Sequence, residues 1–356
     1  MPELPEVETI ARDLRGLVIG ARISGADSNW PPTLRSHEAA AFAAAVTGRE
    51  IEGVGRRGKQ LLIWLEAGAA EPAVLTIHLK MTGQLFIVPA GTPQDCHVHA
   101  VLSFADGREL RFRDIRKFGR IGLYRLDPLT RLPVEGEAIG VLATGAEPLS
   151  DELTAARFGE LLARRRGRLK TLLMNQEFLA GVGNIYADEA LWRARLHPLR
   201  DAHTLRTDDA RRLHQALRGV LAEAVERRGS SVDDYTAPEG DGSMQEHLQV
   251  YQRAGEPCDR CGRPLRRIVV GGRSTHFCSW CQRLPREQRD ARPKPAAGSR
   301  AAARRGPRWT ELSGDGVLGR TAAEEERAKR GAAGRKAASR NAAATRRAVA
   351  RAGGIV

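Results

Sequence analysis

At 356 residues, 42% hydrophobic and 28% charged, the chain can bury a real core, which excludes wholesale disorder and leaves room for two or three domains. Lys and Arg number 57 against 43 Asp and Glu, a formal charge of +14, so a polyanionic partner is expected and nucleic acid is its first candidate. No run approaches the roughly 18 apolar residues of a membrane span, and no basic stretch leading into an apolar one opens the chain, so a cytoplasmic protein without a membrane partner is expected.

The basic excess is uneven. Residues 291–356 hold 16 Lys/Arg and 5 Asp/Glu, which leaves the body before them nearly balanced. In chain order, Val7, Ile10, Leu14 and Leu17 recur at three- or four-residue spacing, as on one face of a helix. Ahead of them stands Met1-Pro2-Glu3-Leu4-Pro5-Glu6. Removal of Met1 would expose the secondary amine of Pro2, with an α-amino pKa within a unit or two of about 7.7–8.0. Such an amine attacks an electrophilic carbon to give an iminium, and Glu3 and Glu6 lie close enough to act as acid or base. Proline at a helix start and acids in a first turn are also ordinary helix-start chemistry, and physics alone favours that reading.

Between about residue 50 and residue 126 the period changes. Short runs such as Leu61 to Leu65, Val74 to Leu79, Val98 to Phe104 and Ile121 to Leu126, parted by Gly, Pro and Asp turns, read as a sandwich or barrel. A connector from Asp127 to Leu149 carries Pro128, Pro133 and Pro148. Ser150 can then cap a helix running into Arg164, Arg165, Arg166 and Arg168. In Leu179-Ala-Gly-Val-Gly-Asn184-Ile-Tyr186, glycines precede a helix start whose amides can face a phosphate, though a tight interhelical turn would need the same glycines. Leu213, Leu217, Val220, Leu221 and Ala224 mark another amphipathic helix, and Gly229 to Gly242 reads as a mobile surface loop.

Cys258-x-x-Cys261 and Cys278-x-x-Cys281, with 16 residues between the pairs, have the spacing of two knuckles around a tetrahedral zinc. Leu265 to Val270 and Ser274 to Phe277 read as strands around a Gly271-Gly272 turn, with Arg273 at the tip. Four cysteines leave the metal no open position, so the zinc is structural and any activity lies in what the hairpin presents. Beyond Arg286 the composition collapses to Ala, Gly, Arg and Lys, too apolar-poor to fold, although Thr321 and Glu324 form a capping-box pattern. This tail is expected to act as a flexible polycation on DNA.

The start MPELPEVET, IHLKMTGQL at 77–85, RDIRKFG at 113–119, GVGNIYADEAL at 181–191, VYQRAGEPC at 250–258 and GRSTHFCSWCQ at 272–282 together resemble the formamidopyrimidine-DNA glycosylase family, over about residues 1–285. The resemblance implies an α+β chain: an N-terminal helix and two-layered β-sandwich over 1–126, a linker over 127–149, a helix-two-turn-helix domain with a lesion loop over 150–249, a four-cysteine zinc finger over 250–286 and a disordered basic tail over 287–356. It implies Pro2 as nucleophile, Glu3 as acid, Lys59 as the lysine that aids β-elimination and Arg273 as the finger arginine on the phosphate beside the lesion. Met81, Arg116 and Phe118 would fill the gap left by the flipped nucleotide, and His97, Arg165, Lys170 and Asn184 would contact DNA. One structural Zn2+, duplex DNA containing oxidised bases as partner, a monomeric state and a nucleoid-associated bacterial setting complete the expectation.

The sequence departs from the family pattern in three places. Asp95-Cys96-His97-Val98 stands where His-x-His-Val is usual, Gly240 to Leu248 differs from the usual lesion-loop segment, and the tail lies beyond the family's extent. Excision of oxidised purines with strand cleavage is the expected activity. The rivals are an endonuclease VIII-like enzyme for oxidised pyrimidines and a catalytically silent zinc-finger DNA-binding protein.

Overall fold

The computed structural model describes residues 1–67, 71–134, 144–230 and 242–289, all within one unit, Met1–Arg292. The expected tail, the Thr321/Glu324 helix, the middle of the 127–149 connector and most of the 229–242 loop lie outside the described residues.

The chain begins with α1 (Leu4–Val18), whose Val7, Ile10 and Leu14 are fully buried as their spacing requires. After β1 (Ile23–Asp27) and α2 (Ala39–Val46) come seven strands: β2 (Ile51–Arg57), β3 (Gln60–Leu65), β4 (Ala73–His78), β5 (Gly83–Pro89), β6 (Val98–Phe104), β7 (Arg108–Asp114) and β8 (Arg120–Arg125). They form two antiparallel sheets, ordered β1-β6-β7-β5 and β2-β3-β4-β8. Ile63, Leu75 and Ile77 of one sheet share a core with Leu85, Leu102, Leu110 and Phe112 of the other, and α1 joins the same core. This is the two-layered arrangement expected. β3 is apolar on both faces, because Leu62 and Trp64 pack outward against Val74 and Tyr124 while Leu61 and Ile63 point inward.

The second half is helical: α3 (Ala155–Ala163), α4 (Leu169–Leu173), α5 (Asn184–Arg193) and α6 (Thr207–Glu226). Here one expectation is corrected. Thr154, not Ser150, caps α3, its hydroxyl accepting the Arg157 N–H at 3.2 Å. Ser150 accepts the Glu152 N–H within a preceding turn whose Leu153 is buried, so the chain turns once before the helix starts. The helix also stops at Ala163, before the arginine cluster.

A hairpin of β9 (Arg266–Val270) and β10 (Arg273–Phe277) follows, then α7 (Arg286–Arg289). Gly271 and Gly272 both take positive φ, +57° and +74°, a two-residue turn that glycine makes at little steric cost. Arg273 thus opens β10, opposite Val270, immediately after the tip.

Candidate functional site

The site begins where α1 begins. Glu6 caps its own helix by accepting the Glu3 backbone N–H at 2.8 Å. The Glu3 side chain completes the capping box on the Glu6 backbone N–H, and its carboxylate also reaches a different helix, accepting the N–H groups of Ile185 (3.0 Å) and Tyr186 (3.4 Å) at the start of α5. A Cβ on Gly183 would collide with the Glu3 carboxyl carbon, so this approach requires glycine there. Two of the amides expected to face a phosphate are therefore occupied by Glu3. Burial raises the Glu3 pKa above the usual carboxylate range, outweighing the pull of nearby Lys59 and of the two amides. A carboxyl poised in this way can keep and deliver a proton.

Lys59 sits in the two-residue turn between β2 and β3 and is 9% exposed, so it is not the surface lysine that a strand start would allow. Glu147 holds that turn, accepting the Gly58 N–H at 2.5 Å and an Arg56 N–H at 2.8 Å. Burial lowers the Lys59 pKa, Glu3 and Glu6 raise it, and Arg273 and Lys80 lower it again. A lysine held low is partly neutral nearer physiological pH, which suits it to take a proton.

Lys59, Asn184 and Arg273 line one hollow of about 390 Å³ with Met1, and Pro2 beside Met1 is buried. Arg35, His78, Lys80 and Arg120, which sequence reasoning passed over, line the same hollow. Antiparallel pairing of β4 with β8 sets His78 opposite Arg120. Burial and the charges of Lys80, Lys59 and Arg35 bring the His78 pKa down to about 3, and its Nδ1 accepts the Lys80 N–H at 3.0 Å. His78 is therefore neutral at physiological pH and presents Nε2–H as a donor.

The second group lies on two adjoining turns. Thr82, next to Met81, donates to buried Asp114 at 2.5 Å, and Asp114 also accepts the N–H groups of Arg116 (3.2 Å) and Gly119 (2.7 Å). Asp114 N–H in turn donates to the carbonyl of His97 at 2.9 Å, which joins His97 to the same assembly. Met81 is half-buried. Phe118 is 48% exposed with the Arg116 guanidinium 4.9 Å from its ring centre, so it is no core residue.

Two expected DNA contacts are placed elsewhere. Lys170 is 0% exposed, and its ammonium is bonded to Asp188 (2.7 Å) and to the Asn184 carbonyl (2.8 Å), so it braces α5 and has no face for a phosphate. Arg165 lines a separate hollow with Arg57, Glu147 and Glu177. Asn184 stays at the main hollow, its amide Nδ2 3.4 Å from Ser274 Oγ.

The ligand atoms of Cys258, Cys261, Cys278 and Cys281 all lie within 4.8 Å of one another. Cys261 and Cys278 sulfurs are 3.5 Å apart, far longer than a disulfide, so four thiols converge without cross-linking. That donor set fits one structural Zn2+ and leaves it no open position. Trp192 of α5, Val250 and Leu265 pack around Cys258 and Cys278.

A β-sandwich, a helical half and a four-thiolate finger around a hollow ringed by cations define a zinc-finger enzyme built to hold nucleic acid. The sequence matches, in order, the families described as formamidopyrimidine-DNA glycosylase N-terminal domain over residues 1–121, formamidopyrimidine-DNA glycosylase H2TH domain over 144–236, and zinc finger found in FPG and IleRS over 255–284. A formamidopyrimidine-DNA glycosylase of Herpetosiphon aurantiacus is 44% identical over 286 residues, 79% of this chain and 100% of that relative. One of Chloroflexus aggregans is 46% identical over 286 residues, 80% of this chain and 99% of the relative. Among solved structures, a complex of a Lactococcus lactis FPG mutant with Fapy-dG containing DNA is similar at a TM-score of 0.72 and 34% identity, covering 80% of this chain and 100% of that one. The MutM (FPG) protein of Thermus thermophilus is similar at 0.69 and 44%, covering 79% and 98%. The chain belongs to the formamidopyrimidine-DNA glycosylase family of DNA-repair enzymes.

Proposed function

We propose that the protein excises oxidised purines, 8-oxoguanine and formamidopyrimidines, from duplex DNA and then cleaves the strand as an apurinic/apyrimidinic lyase. The observation that carries this reading is that Lys59 and Arg273 meet at one cationic hollow with Met1, next to Pro2, while buried Glu3 lies close enough to Lys59 for their charges to act on each other. Once Met1 is removed, the Pro2 amine attacks C1′ and loses its proton, the C1′–N9 bond breaks, and the base leaves with a proton. Glu3 protonates the sugar ring oxygen as the ring opens to the Pro2 iminium. Lys59 takes the C2′ proton, and the C3′–O3′ bond breaks with its electron pair leaving on the phosphate. Arg273 grips the phosphate beside the lesion and assists the second, δ, elimination. Hydrolysis of the imine then frees Pro2.

Met81, Arg116 and Phe118 fill the gap left by the flipped nucleotide, the aromatic wedge offsetting lost stacking and the guanidinium meeting the orphaned base. His97 and Asn184 contact the backbone. A monomeric state belongs to the same reading, and the bacterial relatives favour a cytoplasmic, DNA-associated setting. The domain limits given above carry over on the same reading.

Borohydride trapping on an 8-oxoguanine duplex tests the proposal. A covalent protein–DNA adduct that disappears in Pro2→Gly supports it; undiminished trapping moves the imine to another amine such as Lys59. A single-lesion panel in which oxidised pyrimidines outrun oxidised purines assigns the substrate to the endonuclease VIII type. Phe118→Ala is expected to leave folding stability within about 0.5 kcal/mol, since the ring is exposed, while weakening binding to lesion DNA. A thermal melt beside a binding titration checks both halves, and a large loss of stability would return Phe118 to a packing role.

A further inference from the structure

Asp188 lies one turn into α5 and is 1% exposed. Its Oδ1 accepts from Lys170 Nζ at 2.7 Å, while its Oδ2 accepts the His276 backbone N–H at 2.8 Å and meets His276 Nδ1 at 3.2 Å. A carboxylate accepts only, so the ring presents Nδ1–H to it. Lys170 neutralises the buried charge and ties it to the Asn184 carbonyl. One side chain thus joins α4, α5 and the finger strand β10.

The place of this junction in β10 matters. Cys278 follows the end of the strand, and Arg273 is its first residue. Zinc secures the hairpin at the cysteine end, whereas the Gly271-Gly272 tip is exposed. His276 lies between the two, opposite Arg267 and edge-on to Tyr251 with ring centres 5.2 Å apart. Beside the long 3.4 Å contact of Ser274 Oγ with Asn184 Nδ2, the charged hold on this stretch is the Asp188 carboxylate, without which Arg273 would swing on a short ribbon anchored chiefly at its far end. A charge-assisted bond to a backbone amide fixes the strand itself, not merely one rotamer.

We propose that Asp188, acting through His276, is the positioning residue that sets how the finger presents Arg273 to the hollow. The proposal rests on the role given to Arg273 above. Asp188→Asn tests it, because the new NH2 must face either the Lys170 ammonium or the His276 N–H, a donor against a donor.

In the full-length, zinc-loaded protein, Asp188→Asn is expected to speed hydrogen exchange over residues 266–277 by about tenfold or more, the scale of one lost charge-assisted hydrogen bond, with zinc content unchanged. Affinity for a duplex carrying a tetrahydrofuran abasic analogue is expected to fall about tenfold in the wild-type background and little further in Arg273→Ala. That non-additivity separates positioning from general destabilisation. Should Asp188→Asn lose zinc, His276→Ala tests the side-chain half of that hold: it keeps the Lys170–Asp188 pair and the backbone bond, so a smaller rise in exchange is expected, again non-additive with Arg273→Ala, and no rise overturns the role given to His276. Unchanged exchange at the hairpin, or losses that add to that of Arg273→Ala, overturns the proposal. A wild-type protein with no preference for the tetrahydrofuran duplex overturns the glycosylase reading instead, and the exchange comparison then decides the tether alone.

Discussion

Glu3→Gln is expected to slow single-turnover base excision by about 10²–10⁴-fold, the range for losing a positioned general acid, while cleavage at a preformed abasic site falls far less. The difference arises because the acid acts as the sugar ring opens, a step that a ring-opened abasic substrate has already passed. The pH profiles should differ too. Glu3 works protonated, and its pKa is raised chiefly by burial, so excision by the wild type should fall as pH climbs through that raised value, above the usual carboxylate range. The elimination that depends on neutral Lys59 runs the other way. Its pKa is lowered chiefly by burial, so strand cleavage should rise with pH and level off below the ordinary lysine range. Rate profiles on an 8-oxoguanine duplex and on an abasic duplex measure the two limbs separately. Equal losses on both substrates, or an alkaline limb that persists in Glu3→Gln, would remove Glu3 from the acid role.

Removing zinc is expected to abolish specific DNA binding. Structural zinc contributes roughly 10–16 kcal/mol to small finger modules, far more than any contact the hairpin makes here. Cys258 and Cys278 are 1% and 0% exposed and packed against Trp192, Val250 and Leu265, so the metal-free finger would hold four converging thiols, two of them buried, without their common partner. Chelation or Cys258→Ser should release the hairpin and carry Arg273 out of the hollow, whereas Arg273→Ala should lose lesion binding with zinc still present. Metal analysis beside binding titrations distinguishes the two. A zinc-free protein that binds lesion DNA normally would sink this account of the finger.

The parts of the molecule legible in sequence are those whose signal is local. Two C-x-x-C pairs state their own geometry, and Gly271-Gly272 between two strand-like runs marks a two-residue hairpin turn. β3 is visible because both faces are apolar and β4 because its residues run almost continuously apolar, while the alternating charges of Arg-Glu-Leu-Arg-Phe-Arg-Asp in β7 become a strand only through pairing with β5 and β6. α2, almost all alanine, has little periodicity to read. Long-range pairing also hid the cationic rim: Arg35 follows a short turn, His78 ends β4, and Arg120 begins β8. The place of Lys170 is hidden for the same reason. The resemblance implies a DNA contact there, and only the fold brings Asp188 of α5 to bury it. Pro2 and Glu3 show a related limit, since helix capping and acid chemistry write the same residues: Glu3 and Glu6 form a capping box, and only the fold shows that the Glu3 carboxylate also accepts from α5.

The hollow's rim of Arg35, Lys59, Lys80, Arg120 and Arg273 also has a consequence for the free protein. Apart from desolvation, Lys80 is pushed down by Arg35 and Arg120, and His78 by Lys80, Lys59 and Arg35, so these charges act against one another within the folded state. The unliganded fold therefore holds a store of self-repulsion that any polyanion relieves, and binding and folding become thermodynamically linked through it. Added salt acts on the two in opposite senses: it screens the repulsion and steadies the empty protein, while it weakens the grip on a phosphate chain. The empty protein is thus least at ease at the low ionic strength where it would hold DNA most tightly.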